Sequence, residues 1–141
     1  MKTSHATNTA RSRILRREES LTSRRYGGVC VRVLYQCDAF EVRHTELDPG
    51  STLDDAEMAE VNGVHFVVSG SPVFRVAGER SDLMPGDSVS VGKGQRCSVS
   101  NATAARSTFL SLVFRGECRS LDAAFGGGTA DTPGNQKELS R

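Results

Sequence analysis

The sequence contains no tryptophan, and aromatic residues make up only 6% of its 141 residues. Proteins that bind single-stranded nucleic acid stack the bases on aromatic side chains, and this composition offers few of them. Apolar residues at 37% and charged residues at 25% are typical of an ordinary soluble domain. The composition therefore argues against nucleic acid as a partner and favours a small molecule or a protein.

Long apolar runs are also missing. No stretch approaches the roughly 18 apolar residues of a membrane span, and the opening MKTSHATNTA lacks the apolar core of a secretory signal. The first 17 residues are rich in Arg, Ser and Thr without an acid, as in organelle transit peptides. They carry little amphipathic pattern, so we expect a cytoplasmic protein with no membrane partner.

Closely spaced cysteine pairs are absent too. The four cysteines, Cys30, Cys37, Cys97 and Cys118, form no CxxC pair. This spacing disfavours a zinc ribbon and the disulfide framework of a small secreted domain. We expect reduced thiols.

Positive charge is concentrated at the start of the chain. Residues 1–25 contain seven Lys or Arg and two Glu, a net charge of +5, while the rest of the chain carries −4. Such an arm can contact an acidic partner or remain a solvated tail. We expect residues 1–26 to form a partly disordered arm, or alternatively a lid over a binding site.

Short β segments separated by turn residues fill the centre of the sequence. Eight segments rich in Val, Phe and Thr are predicted strands: 29–36, 39–47, 64–69, 72–76, 80–84, 88–91, 96–101 and 108–114. They predict an all-β barrel or sandwich over residues 27–116. The polar segment 51–62 is expected to be a helical turn or loop at a pocket rim. Residues 117–141 are expected to be a mostly disordered tail.

The order of the turn residues resembles that of the cupin superfamily. The spacing of its second motif, G x5 P x G x2 H x3 N, is reproduced from Gly86 to Asn101. Gly86, Gly94 and Asn101 match, whereas Gly92 replaces the proline and Cys97 replaces the metal-binding histidine. The resemblance implies a double-stranded β-helix, or jelly-roll, barrel.

The first cupin motif, G x5 H x H x3–4 E x6 G, keeps only its framework. Gly50 and Gly70 match its outer glycines, but Gly63 occupies the glutamate position and Glu57 or Ala59 the histidine positions. Three of the four metal ligands are thus lost. The resemblance therefore implies a barrel that works without a metal or another cofactor.

A narrower resemblance is to the cupin domains of AraC-type transcription regulators, which often carry F H x V x x G. Residues 64–70 read VHFVVSG here. Those domains bind small effectors and precede a helix-turn-helix segment, which is not apparent after Phe114. The resemblance implies an effector-binding module, and the wider family resemblance implies a homodimer.

Alternation along the strands predicts which residues line the barrel. On strand 39–47 the more apolar face is expected to point inward, and it comprises Phe40, Val42 and His44. The other face is expected to be solvated, and it comprises Glu41, Arg43 and Thr45.

Two further strands supply candidate residues. If Cys97 points inward like the histidine it replaces, Val99 and Asn101 share its face. Both faces of strand 64–69 are apolar, so alternation leaves open whether His65 or Phe66 points inward. Phe40, Val42, Val99 and Asn101 are the predicted ligand-binding residues.

His44, His65 and Cys97 are the predicted catalytic residues, because an imidazole and a shielded thiol can both move protons. As an alternative, the three could form a zinc or copper site. The first functional hypothesis is a metal-independent isomerase, cyclase or lyase acting on an apolar small molecule. The second is a non-catalytic sensor that binds an effector and acts through a partner protein.

Overall fold

The chain folds into β-strands joined by short turns. The structure is a computed structural model, and it describes residues 12–54 and 62–114. The strands in these ranges are β1 (Thr22–Tyr26), β2 (Val29–Gln36), β3 (Phe40–Leu47), β4 (Thr52–Asp54), β5 (Asn62–Ser69), β6 (Val73–Val76), β7 (Glu79–Asp82), β8 (Ser88–Val91), β9 (Cys97–Ser100) and β10 (Ser107–Phe114). The all-β prediction is confirmed. Over the same ranges, no helix has the length and apolarity needed to cross a membrane.

The strands form two antiparallel sheets. The six-stranded sheet has the order β1-β2-β3-β10-β5-β8, and the four-stranded sheet has the order β4-β9-β6-β7. The chain passes from one sheet to the other between β3 and β4 and again between β4 and β5. Such crossings between two packed sheets produce a jelly-roll barrel.

Two of the strands lie outside the eight predicted ones. β1 pairs along its whole length with β2, so the sheet begins at Thr22 rather than at residue 27. β4 pairs with β9, so residues 52–54 are a strand and not part of a helical turn. Residues 55–61 of the predicted rim lie outside the described residues. The first 11 residues and residues 115–141, which include all of the predicted tail, also lie outside them.

Apolar side chains from both sheets meet inside the barrel. Phe74 of β6 and Phe109 of β10 are at most 1% exposed and make an edge-to-face contact with ring centroids 5.3 Å apart. Removing one large apolar side chain from water stabilises a fold by roughly 1.5–3 kcal/mol. Buried Val, Leu, Phe and Cys side chains form one continuous cluster, which comprises Val29, Val31, Leu47, Leu53, Val67, Phe74, Val91, Cys97, Val99 and Phe109.

The outer face of the six-stranded sheet is apolar as well. Val64, Phe66 and Val68 of β5 point away from the barrel and are 36–45% exposed. Leu110 and Leu112 of β10 lie beside Phe66 and Val64 in the strand register. These five side chains form the outer apolar face.

Candidate functional site

A small cavity with one polar wall lies inside the barrel. Its volume is about 20 Å³, which is room for about one water molecule. The lining residues come from both sheets, and they are Val31, Arg43, Thr45, Leu53, His65, Cys97, Val99, Phe109 and Ser111.

His65 is the most deeply buried polar group of this cavity. It is 1% exposed, and its Nδ1 lies 2.7 Å from Oγ of Ser111 on the neighbouring strand β10. The other ring nitrogen, Nε2, is buried and has no hydrogen-bond partner in residues 12–54 and 62–114. Buried polar atoms nearly always have a partner, so this nitrogen marks a position for a polar group of a ligand or for a water.

The surroundings of His65 keep its ring neutral. Burial, and secondarily the positive charge of Arg43, lower the pKa of His65 to about 4. The rings of Phe74 and Phe109 lie on two sides of the imidazole, with centroids 5.6 and 5.7 Å away. At pH 7 His65 is therefore a neutral imidazole that can donate or accept one hydrogen bond at Nε2.

Arg43 brings a positive charge to the same cavity. Its Nε donates to Glu41 Oε2 at 2.6 Å, and Gln36 Nε2 donates to the other carboxylate oxygen at 3.2 Å. Both charged side chains are largely removed from water, and each offsets part of the cost of burying the other. The interior therefore contains the neutral imidazole of His65 and the guanidinium of Arg43, which is ion-paired with Glu41.

Cys97 and Val99 line the cavity from β9, as alternation along that strand predicts. Cys97 is buried and forms no disulfide, and the same is true of Cys30, whereas Cys37 is exposed. Cys118 lies outside the described residues. Of the predicted catalytic residues, His65 and Cys97 thus share one cavity.

The expected orientation of β3 is wrong. Glu41 and Thr45 are buried and Arg43 and Thr45 line the cavity, so the face expected to be solvated points inward. The opposite face carries the predicted site residues Phe40, Val42 and His44. The expectation that the more apolar face points inward fails because the inward charges pair with each other. The apolar residues instead extend the outer apolar face, since Val42 is paired with Leu112.

His44 lies on the far side of the sheet from His65. It borders a groove between the outer face and the arm segment Leu15–Glu19, close to Arg32 and Glu46. Burial lowers the pKa of His44, and Arg32 adds to this while Glu46 opposes it. The described part of the basic arm thus covers the outer face near His44. Any lid role stays a prediction for residues 1–11.

Asn101 is buried next to the barrel, but its polar atoms are bonded to the protein. Its Nδ2 donates to the backbone oxygens of Leu47 and Ala105, at 2.9 and 2.7 Å. Its Oδ1 accepts from the backbone and hydroxyl of Thr103. These hydrogen bonds connect the end of β3 to the turn before β10, so Asn101 stabilises the fold. A ligand contact by Asn101 remains a prediction.

The described residues do not fit the metal ion that the cupin motifs imply. Gly63 offers no side-chain ligand, and residues 12–54 and 62–114 contain no cluster of three His, Cys, Asp or Glu that could hold an ion. His44 cannot join His65 and Cys97, because the sheet separates them. The alternative His2Cys site is therefore wrong. Glu57 and Ala59 lie outside the described residues.

Three polar cavity residues were not predicted from the sequence, namely Arg43, Thr45 and Ser111. One signal was available for Arg43. Glu41 and Arg43 are two residues apart, so they share one face of a strand and can form an ion pair there. For Ser111, both faces of β10 carry large apolar residues, and only the pairing with His65 identifies its side.

Solved structures of cupin proteins have the same fold. The cupin domain of an XRE-family transcriptional regulator from Enterobacter cloacae has a TM-score of 0.59 at 22% identity, covering 64% of this chain and 99% of that one. A predicted oxalate decarboxylase from Thermotoga maritima has a TM-score of 0.61 at 18% identity, with 72% and 98% covered. A cupin conserved barrel protein from Salinispora arenicola has 0.60 at 19%, with 74% and 87% covered.

The chain therefore has the cupin fold, as the turn motifs predicted. The sequence matches no protein-family model and no curated protein. At these identities the neighbours establish the fold alone, and they include both a regulator domain and a predicted enzyme. The fold alone does not determine the function of the barrel.

Proposed function

We propose that this protein binds a small molecule in its cupin barrel and promotes proton transfer with His65, without a metal ion, as an isomerase, cyclase or lyase does. The observation that carries the proposal is His65 Nε2, a buried ring nitrogen without a partner in the described residues, in a cavity it shares with Cys97. A neutral imidazole can accept a proton at its second ring nitrogen, which is the step of a general base.

The hydrogen bond with Ser111 determines whether Nε2 donates or accepts. If the Ser111 hydroxyl donates to Nδ1, Nε2 carries the ring proton and donates a hydrogen bond to the ligand. If Nδ1 donates to Ser111, Nε2 is an acceptor and takes a proton from the ligand. The thiol of Cys97 in the same cavity is a second group able to exchange a proton.

The size of the cavity limits how the ligand is held. Only a group about as large as a water molecule fits beside His65, because the cavity measures about 20 Å³. We infer that a carbonyl or hydroxyl of the ligand enters this space. The remainder of the ligand stays nearer the barrel surface.

A sensor function is the second candidate. It is supported by the water-sized cavity beside His65, which can hold one polar group of an effector, and by the likeness to a regulator's cupin domain. In this case His65 and Cys97 hold an effector, and a partner protein responds to its binding. The outer apolar face suits a homodimer, and the cytoplasmic location stays as predicted from the sequence.

Two measurements test the proposal. Elemental mass spectrometry of protein purified without a histidine tag is expected to find no stoichiometric transition metal. A thermal-shift screen of small organic acids, alcohols and ketones is expected to give a ligand that raises Tm for the wild type but not for His65→Gln, because only the folded site binds it. A stoichiometric metal, or equal shifts in the variant, would contradict the proposal. Turnover of the ligand separates the enzyme from the sensor.

A further inference from the structure

A larger groove lies on the surface beside the interior cavity. Its volume is about 530 Å³, within the range of about 300–1,000 Å³ that small-molecule sites occupy. The β6–β7 turn, the turn before β9 and the exposed side of the four-stranded sheet form its walls. The lining residues are Asp54, Arg75, Ala77, Gly78, Gly94, Gln95, Arg96, Cys97 and Ser98. Cys97 also borders the interior cavity, so the groove and the cavity meet at this residue.

The two arginines of this groove differ from the other arginines of the barrel. Four of the six arginines between β2 and β10 contact a carboxylate, in the pairs Arg32–Glu46, Arg43–Glu41, Arg80–Asp82 and Arg106–Asp48. Within residues 12–54 and 62–114, the guanidinium groups of Arg75 and Arg96 make neither an ion pair nor a hydrogen bond. Their charges are available to a ligand.

The strand register adds a reason for an anion at Arg75. Arg75 of β6 lies directly opposite Arg80 of β7, and like charges in that position destabilise a sheet. Asp82 contacts Arg80 at 3.0 Å and compensates that charge. On the other side, Ser98 separates Arg75 from Asp54, the only carboxylate among the residues that line the groove. Among the described residues that line the groove, two guanidinium groups against one carboxylate give a net positive charge.

Resting on the function proposed above, we propose that Arg75 and Arg96 bind the carboxylate of a small organic acid in this groove, while the rest of that molecule reaches Cys97 and the cavity. The ligand is then an organic anion, with its carboxylate at the arginines and a polar group at the end that reaches the cavity. Guanidinium groups suit this recognition, because they donate paired hydrogen bonds to a carboxylate.

Two alkylating reagents that share the same reactive group but differ in charge test whether the groove attracts anions. Iodoacetate carries a carboxylate and iodoacetamide does not, and each forms an Sγ–C bond at a cysteine while iodide leaves and the thiol proton passes to the buffer. The rate at Cys97 is measured for both reagents by peptide mass spectrometry, with exposed Cys37 as the reference in the same protein. The variants are the double substitution R75Q/R96Q and, as a control, Arg106→Gln, which removes one arginine charge from the described surface near Asp48.

The expected result is a fall of about threefold in the iodoacetate-to-iodoacetamide rate ratio at Cys97 in R75Q/R96Q, because local positive charge concentrates the anionic reagent. Arg106→Gln is expected to keep the wild-type ratio, and Cys37 is expected to keep its ratio in every variant. An unchanged ratio at Cys97 in R75Q/R96Q would overturn the proposal. So would a native Cys97 that neither reagent reaches.

A second readout does not depend on the thiol. Titration of protein with ¹⁵N-labelled arginine is expected to move the Nε–H signals of Arg75 and Arg96 with acetate but not with acetamide, and to leave Arg106 unmoved. Equal responses to both probes would overturn the anion site. If the arginine tests fail while a ligand still acts through His65, the proposed function stands without this groove. If only the His65 tests fail, the groove stands alone.

Discussion

His65 and Ser111 lie opposite each other on β5 and β10, with 2.7 Å between Nδ1 and Oγ. This contact occupies one nitrogen of the ring and leaves Nε2 as the nitrogen that a ligand can use. The pairing of two strands from different parts of the chain therefore determines the chemistry of the interior. Neither residue alone would specify it.

The neutral state of His65 predicts a loss of stability in acid. The pKa of His65 is about 4 in the folded protein, below the value of 6.5 for an unfolded histidine. Between these values the unfolded chain binds a proton that the folded chain does not, so stability is complete above pH 6.5 and declines as the pH falls towards 4. We expect this one group to reduce the free energy of unfolding by about 2 kcal/mol between pH 7 and 4.5.

Urea denaturation of wild type and His65→Gln at both pH values measures this effect. The variant keeps His44 and all carboxylates, so the difference between the two proteins isolates His65. A variant with the same pH dependence as the wild type would show that His65 titrates normally in the fold.

Asn101 predicts a stability defect without a binding defect. Asn101→Ala removes the buried hydrogen bond to the oxygen of Leu47, one of the two donors to the oxygen of Ala105 and the acceptor for Thr103, and we expect it to cost about 3 kcal/mol. Ser100→Ala, one residue earlier on the partly exposed side of β9, is expected to cost less than about 0.5 kcal/mol. Urea denaturation measures both. Weaker ligand binding by fully folded Asn101→Ala would instead support the predicted ligand contact.

Alanine substitutions at Gly70 and Gly86 distinguish the stability cost of backbone strain from that of a steric clash. Both have a positive φ, 82° and 97°, which costs an alanine roughly 1–2 kcal/mol. A Cβ on Gly86 meets nothing within 4 Å, whereas a Cβ on Gly70 lies 2.6 Å from Cα of Ser107 and 2.8 Å from the oxygen of Arg106. We expect Gly70→Ala to lower the free energy of unfolding by about 2 kcal/mol more than Gly86→Ala. Equal losses in urea denaturation would show that β10 moves aside.

The outer apolar face predicts the oligomeric state. If two copies pair through it, Phe66→Lys buries a charge in the interface and should convert a dimer into a monomer in sedimentation equilibrium. Met84→Lys is the control, because Met84 is 62% exposed and lies in the turn before β8, outside the five residues of the outer apolar face. A wild-type monomer, or a dimer that survives Phe66→Lys, would contradict pairing through this face.

Much of the fold was predictable from local signals. The spacing of turn residues such as Gly86 and Gly94 predicts the cupin fold, and both glycines adopt the positive φ that their turns require. β1 and β4 were missed because neither has the apolar alternation of a strand. They form because β2 and β9 offer them backbone partners.

The candidate site was less predictable, because it depends on which face of β3 points inward. Apolar alternation selected His44, but the ion pair between Glu41 and Arg43 makes the charged face tolerable inside. The apolar face lies outside, where the arm and β10 provide neighbours. Pairing between distant strands, such as His65 with Ser111, cannot be read from either strand alone.

Binding of a ligand at His65, inside the barrel, can be observed directly at the imidazole ring. The chain has three histidines, so a spectrum of protein with ¹⁵N-labelled imidazoles is simple to assign. His44, on the outer face, is a built-in control. Addition of the ligand from the thermal-shift screen is expected to move the Nε2 signal of His65 and leave His44 unchanged. Movement of His44 alone, or of neither signal while the ligand still raises Tm, would contradict binding in the barrel.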